Sequence, residues 1–167
     1  MYWCVIHVKN RRYQELLDFF NAQNDVYAFV PMIEKWFSSS EIKEYQSVEM
    51  YPNYIFIKTS LSKDEFNKRF KDVFQSVSRF AELLEYDEMI ALDQQEQFLL
   101  EKMLNGCETI KHSKGRIVNS ILKIDYGPLV GMENQIMKIN RHKRLAFLDC
   151  GVLGKSMKIP LEVVSKS

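Results

Sequence analysis

The sequence predicts an α+β protein in two parts: an antiparallel sheet flanked by helices, then a small all-β barrel. Three observations carry this. Strand-like and helix-like segments alternate up to Gly106, and only short strand-like runs broken by turn residues follow it. The charge changes at the same place. Residues 1–106 hold 12 Lys+Arg against 17 Asp+Glu, and residues 107–167 hold 11 against 5, within a net charge of +1. An acidic first part and a basic last third suit different partners, the basic one a candidate for nucleic acid. The predicted boundaries are a first domain over 1–106, a polar, basic linker over 107–115 and a barrel domain over 116–167.

Each element has a local reason. Tyr2–Val8 is aromatic and β-branched, a strand ended by Lys9-Asn10. Tyr13, Leu16, Leu17 and Phe20 share one helical face, with Asn10 as the expected cap. Val26–Phe37 is strand-like around Pro31, and Ser38-Ser39-Ser40 is a turn. Ser47–Lys58 is a second extended stretch, kinked or at an edge where Pro52 removes a backbone donor. Ser62 and Glu65 form a capping box opening a short helix with Phe66 and Phe70. Phe74–Phe80 is expected as a short strand. Asp93 and Glu96 form a second capping box, whose helix carries Phe98, Leu99, Met103 and Leu104 and stops at Asn105-Gly106. Beyond Arg116 the strand-like runs are Ile121–Ile124, Gln135–Ile139, Leu145–Asp149 and Leu161–Val164. Gly127-Pro128, Gly131, Asn140, Gly151, Gly154 and Pro160 separate them. There is no internal repeat and no low-complexity segment.

Composition narrows the function classes. An apolar content of 46% and a charged content of 27% are those of a globular chain. No apolar run reaches the roughly 20 residues of a membrane helix, and the start Met1-Tyr2-Trp3-Cys4-Val5 has no leader or lipidation pattern, so a cytoplasmic, membrane-free protein is expected. Cys4, Cys107 and Cys150 are odd in number and far apart, so they read as buried apolar thiols rather than disulfides or zinc ligands. His7, His112 and His142 have no metal-type spacing, and the six glycines form no phosphate loop. The acidic run Glu82, Glu85, Asp87 and Glu88 lacks an interleaved histidine or nucleophile and reads as a solvated loop. No catalytic residue, metal or cofactor is therefore assigned.

Three segments in order resemble the NusG family of transcription elongation factors. Trp3-Cys4-Val5-Ile6-His7-Val8-Lys9 matches that family's opening strand. Tyr51-Pro52-Asn53-Tyr54-Ile55-Phe56-Ile57 resembles its central strand in the form of specialised paralogues such as RfaH. Gly127-Pro128-Leu129-Val130-Gly131-Met132-Glu133-Asn134-Gln135-Ile136 resembles the KOW motif opening its second domain. Ile139–Ala146 and Pro160–Val164 are most similar to the LoaP antiterminators. Asn134 replaces a usual glycine, and Asn tolerates the positive φ such a turn needs. Phe74–Val77 replaces a glycine-bearing stretch, and no gate-loop residue after Thr59 can be assigned.

The resemblance implies a first domain of the NGN type and a KOW-type barrel. The first domain would bind the clamp helices of RNA polymerase through Tyr54 and Phe56, an exposed aromatic pair on one strand face with Ile55 and Ile57 on the other. Lys9, Arg11 and Arg12, cations that oppose a helix dipole, would meet the non-template DNA of the transcription bubble. A cluster of Lys138, Arg141, His142, Lys143 and Arg144, with Lys114 and Arg116, would grip a nascent RNA hairpin. The implied protein is a monomeric antitermination factor, not an enzyme. Two readings stay open beside it: a general elongation factor whose second domain binds a protein, and a ribosome-associated KOW protein.

Overall fold

The computed structural model describes residues 1–76, 78–84 and 89–167. The chain is α+β and packs as two compact units interleaved in sequence: residues 1–31 with 49–94, and residues 32–48 with 95–167. Among the described residues no helix is long and apolar enough to cross a membrane.

The first unit is built on a four-stranded antiparallel sheet. Its strands are β1 (Tyr2–His7), β2 (Val26–Phe29), β5 (Tyr54–Thr59) and β6 (Ile90–Ala91), in the order β2-β5-β1-β6. Helices α1 (Gln14–Asn21), α2 (Lys63–Ser76) and α3 (Ser78–Leu83) also belong to it. Strand alternation sends Cys4, Ile6, Ile55 and Ile57 into one core cluster with Leu16 and Phe20 of α1 and Phe66, Phe70 and Phe74 of α2. The Phe66 and Phe70 ring centroids lie 4.6 Å apart, and Phe20 lies 5.4 Å from Phe70. Buried side by side, these rings contribute both area and edge-to-face geometry.

Local structure departs from expectation at three places here. The stretch expected as a strand over Phe74–Phe80 is helical at its described residues, with Val77 outside them. Phe66, Phe70 and Phe74 recur every four residues, and their shared burial extends α2 past the expected end. Asn10 does not cap α1; it sits left-handed at φ 53° inside a 3-10 turn, Lys9–Arg11, and the helix starts after Tyr13. Pro52 kinks no strand, because it lies in the turn that separates β4 (Lys43–Glu49) from β5, where Asn53 has φ 71°. Of the acidic run, Glu85, Asp87 and Glu88 lie outside the described residues. The first capping box forms as expected: Ser62 N donates to Glu65 Oε2 at 2.8 Å, and Glu65 N to Ser62 Oγ at 3.3 Å.

The second unit holds two sheets and α4 (Gln94–Leu104). A three-stranded sheet runs β4-β3-β7, with β3 at Met32–Ser38 and β7 at Thr109–Ile110, parallel to β3. A five-stranded sheet runs β10-β11-β12-β8-β9, from β8 (Ser113–Val118), β9 (Ile121–Tyr126), β10 (Ile136–Asn140), β11 (Leu145–Val152) and β12 (Lys155–Lys166). Its edges β10 and β9 are not ladder partners, so the sheet is open. The stretch expected as a linker carries β7 and the first residues of β8, because Ile110 and Ser113 are fully buried there.

Pro160 is not a separator but lies inside β12. Up to Pro160, β12 pairs antiparallel with β11; from Leu161 it pairs in parallel with β8. The missing proline N–H therefore falls where the ladder changes partner. Asn134 is not left-handed either; it lies in a 3-10 turn, Glu133–Gln135. A Cβ at Gly151 would overlap the Lys155 carbonyl oxygen, so only glycine lets β11 approach β12 there. The cysteines are free, and only Cys4 is a buried thiol; Cys107 is exposed and Cys150 half-buried. Burial pushes the Cys4 thiol up to about 12.

Candidate functional site

In the first unit the sheet face opposite the helices is aromatic. Trp3, Val5 and His7 of β1 stand opposite Lys58, Phe56 and Tyr54 of β5. The register confirms that Tyr54 and Phe56 share a face and that Ile55 and Ile57 occupy the other. They are not an exposed pair. Phe56 is fully buried, its ring 5.5 Å from Tyr51 and 6.2 Å from Phe29. Tyr54 is half-buried, edge-on to His7 at 4.7 Å. The face has enough aromatic area for Phe56 to sink among neighbours and leave Tyr54 as its surface edge. The Lys58 ammonium lies 4.4 Å above the Trp3 ring, a cation–π contact that closes the far end.

The basic turn before α1 is pinned. Arg11 N donates to Asn53 Oδ1 at 3.0 Å, and its guanidinium Nε lies 3.2 Å from Glu49 Oε2. The Tyr13 hydroxyl donates to Glu49 at 3.1 Å and accepts from Asn53 N at 2.7 Å. Burial, with the bond to the Glu49 carboxylate, leaves the Tyr13 hydroxyl harder to ionise than usual, against the opposing pull of Asn53 N and the Arg11 charge. Arg12 pairs with Glu15 at 3.8 Å. Arg11 and Arg12 nonetheless keep 61% and 56% of their side-chain surface open, and Lys9 is half-buried. The left-handed backbone at Asn10 and Arg11 places these three in one tight turn.

In the second unit the predicted basic residues divide into two groups. Arg144 is the clearest correction. Its guanidinium lies 3.6 Å above the Trp36 ring, donates to the Tyr45 hydroxyl at 3.4 Å and meets Glu162 at 3.1 Å. It is a brace between hairpin β3–β4 and the five-stranded sheet, not a free cation. The same seam continues through Tyr45, stacked on His112 at 4.0 Å and 5°. His112 N and Nδ1 both lie 2.6 Å from Glu34 Oε2. Burial alone would raise the Glu34 carboxyl, but the His112 bonds and the His112 and Lys111 charges outweigh it and hold it below the usual carboxylate range.

Lys114 also faces Glu162, at 3.9 Å, and Arg116 faces Asp125, at 3.3 Å. Lys138, Arg141, His142 and Lys143 are exposed on β10 and the turn after it. That turn is fixed by Lys143 N donating to Asn140 Oδ1 at 2.9 Å. None of these four forms an ion pair among the described residues. Sequence reasoning passed over Lys35 and Trp36, which stand beside His142 and Lys143 in a cleft of about 530 Å³. The missed signal was Lys35-Trp36-Phe37, a basic–aromatic run inside the acidic part of the chain. Among the described residues, no group of three or more His, Cys, Asp or Glu side chains could hold a metal ion.

These features define a two-unit α+β protein, one unit with an aromatic, largely buried sheet face and the other with cations that form no ion pair among the described residues, beside aromatic rings. The family model described as NusG, transcription termination factor nusG, matches residues 1–101, and the chain belongs to that family. It is thereby a transcription elongation factor in the general sense, of a family whose domains bind RNA polymerase. No curated protein matches the chain.

Proposed function

We propose that this chain is an antitermination factor of the specialised, LoaP- or RfaH-like kind. Its polymerase-facing part lies within residues 1–106, and its RNA-facing part within 116–167 together with hairpin β3–β4. The family match over residues 1–101 carries the polymerase half of this reading. Tyr54 is the anchor on the clamp helices, and Phe56 supports it from within the aromatic cluster; a half-buried aromatic on a rigid strand loses little freedom on docking. Lys9, Arg11 and Arg12 lie against the non-template DNA strand, where the exposed Arg11 and Arg12 guanidinium groups and the half-buried Lys9 meet phosphates. Bound this way, the factor biases polymerase between a paused and an elongating state, with no covalent step.

The second part selects transcripts by binding nascent leader RNA. The supporting observation is chemical: Lys138, Arg141, His142 and Lys143 crowd one strand and turn with no ion pair among the described residues. Opposite charge from a partner is the natural remedy for such mutual repulsion. A KOW-type domain would account for the five strands of this unit, whose edge strand β9 is tied to the turn just ahead of β10 by Ile124 N donating to Glu133 Oε1 at 3.1 Å. A second reading has its own support. Ile121, Tyr126, Met137 and Val164 are exposed apolar side chains on this unit, which suits a protein partner and a general elongation factor.

The test uses the full chain. Tyr54→Ala is expected to lose capture of bacterial core RNA polymerase while its affinity for leader RNA in a gel shift is unchanged. Undiminished capture overturns Tyr54 as the anchor, and a wild-type chain that captures no polymerase overturns the polymerase assignment; a wild-type chain that shifts no leader RNA favours the protein-partner reading.

A further inference from the structure

Strand β11 alternates Ala146 and Leu148, buried in the core, with Leu145 and Phe147, half-buried on the opposite face. On that face Phe147 stands opposite Lys138 of β10 on one side and Lys158 of β12 on the other. The two ammonium groups lie 5.7 and 5.6 Å from the Phe147 centroid. With strands about 4.8 Å apart, the two lysine backbones are roughly 10 Å apart. Neither lysine forms an ion pair, and no second ring stacks on Phe147, among the described residues. Asp149, next on the same face, bounds the row. A half-exposed ring bracketed by two unneutralised cations is an odd way to finish a sheet surface. Two like charges repel, and each ring contact returns only about 0.5–1 kcal/mol at an exposed site.

The row is continuous with the cleft. Leu145, beside Phe147, and Lys158 both line it, facing Lys35 and Trp36 of β3 and His142 and Lys143 of the β10–β11 turn. A cleft of about 530 Å³ is in the range that encloses a small organic group. Glu34, the carboxylate at its wall, is already engaged by His112 and Lys111. The electrostatics of the cleft are thus set by cations contributed from three separate stretches of the chain.

We propose that Lys138–Phe147–Lys158 and the adjoining Lys35–Trp36 cleft form a binding track for single-stranded RNA. An unpaired base stacks on Phe147, the flanking phosphates sit on Lys138 and Lys158, and the strand continues past Lys35 and Lys143. Paired bases present no free face to a ring, whereas every unpaired base does, so this geometry selects unpaired over duplex RNA. The inference rests on the RNA reading of this unit and names the form of RNA that it takes.

The test is fluorescence anisotropy of the full chain with two labelled probes: a 12-nucleotide oligouridine and a blunt-ended RNA hairpin. The expected result is tighter binding of the oligouridine. Phe147→Leu, which keeps an apolar side chain in place, weakens that binding about 5- to 100-fold, and Phe147→Tyr restores it. Lys35→Ala and Lys158→Ala each lower the slope of log affinity against log salt by about 0.7. Oligouridine binding that Phe147→Leu leaves unchanged, or tighter binding of the hairpin, overturns the single-strand track and leaves the RNA reading standing. Binding of neither probe overturns both.

Discussion

Replacing Arg144 by Met removes a brace, and the structure sets its size. The side chain is three-quarters buried, its guanidinium 3.6 Å above the Trp36 ring and 3.1 Å from Glu162. A partly desolvated cation–π contact contributes about 1–2 kcal/mol. A hydrogen bond to a charged group contributes about 1.5–3 kcal/mol. The latter is discounted because Glu162 keeps Lys114 at 3.9 Å, and the 3.4 Å bond to Tyr45 is too long to add much. Methionine fills most of the volume, so the expected loss is ~2–4 kcal/mol. The assay is urea unfolding followed by Trp36 emission in a Trp3→Phe background, which confines the signal to the second unit, since these are the two tryptophans of the chain. Arg144→Lys keeps the charge but not the planar stack, and it recovers less than half of the loss. A loss of under about 0.5 kcal/mol for Arg144→Met, with weakened RNA binding, refutes the reasoning and makes Arg144 a ligand contact after all.

Two further predictions concern the same unit. Glu34 has its carboxyl pKa lowered in the folded state, so its contribution to stability is complete above the unfolded value near 4.5 and is lost as pH falls through the folded one. Glu34→Gln should therefore flatten the acid limb of the unfolding midpoint against pH, and an unaltered limb counts against the His112–Glu34 contact. Gly151→Ala forces a methyl group into the Lys155 carbonyl and should destabilise the unit by about 1–3 kcal/mol in the same urea assay.

How much was legible depended on how far apart the interacting residues stand. The period-two run Tyr54-Ile55-Phe56-Ile57 disclosed which side chains share a face, because that follows from strand geometry alone. It did not disclose that Phe56 is buried, since both faces of this sheet carry apolar residues and alternation loses its contrast. The Ser62–Glu65 box was readable as a local hydrogen-bond pattern. The helix through Phe74 was misread because an aromatic-rich segment fits strand propensity until its four-residue recurrence is weighed. Arg144 was counted among free cations because its partners Trp36 and Tyr45 lie about 100 residues earlier, where no local pattern points. Lys35 was overlooked for the same reason.

The interleaving of the two units has a consequence for synthesis. Hairpin β3–β4 leaves the ribosome roughly 100 residues before the β10–β11 turn that carries Arg144. At about 5–20 residues per second, it waits some 5–20 s for its partner. During that interval residues 49–94 arrive and the first unit can complete itself, while Trp36 and Tyr45 have nothing to lean on. A transcript truncated after codon 106 would therefore yield a finished first unit trailing an orphaned aromatic hairpin, a natural target for chaperones and proteases.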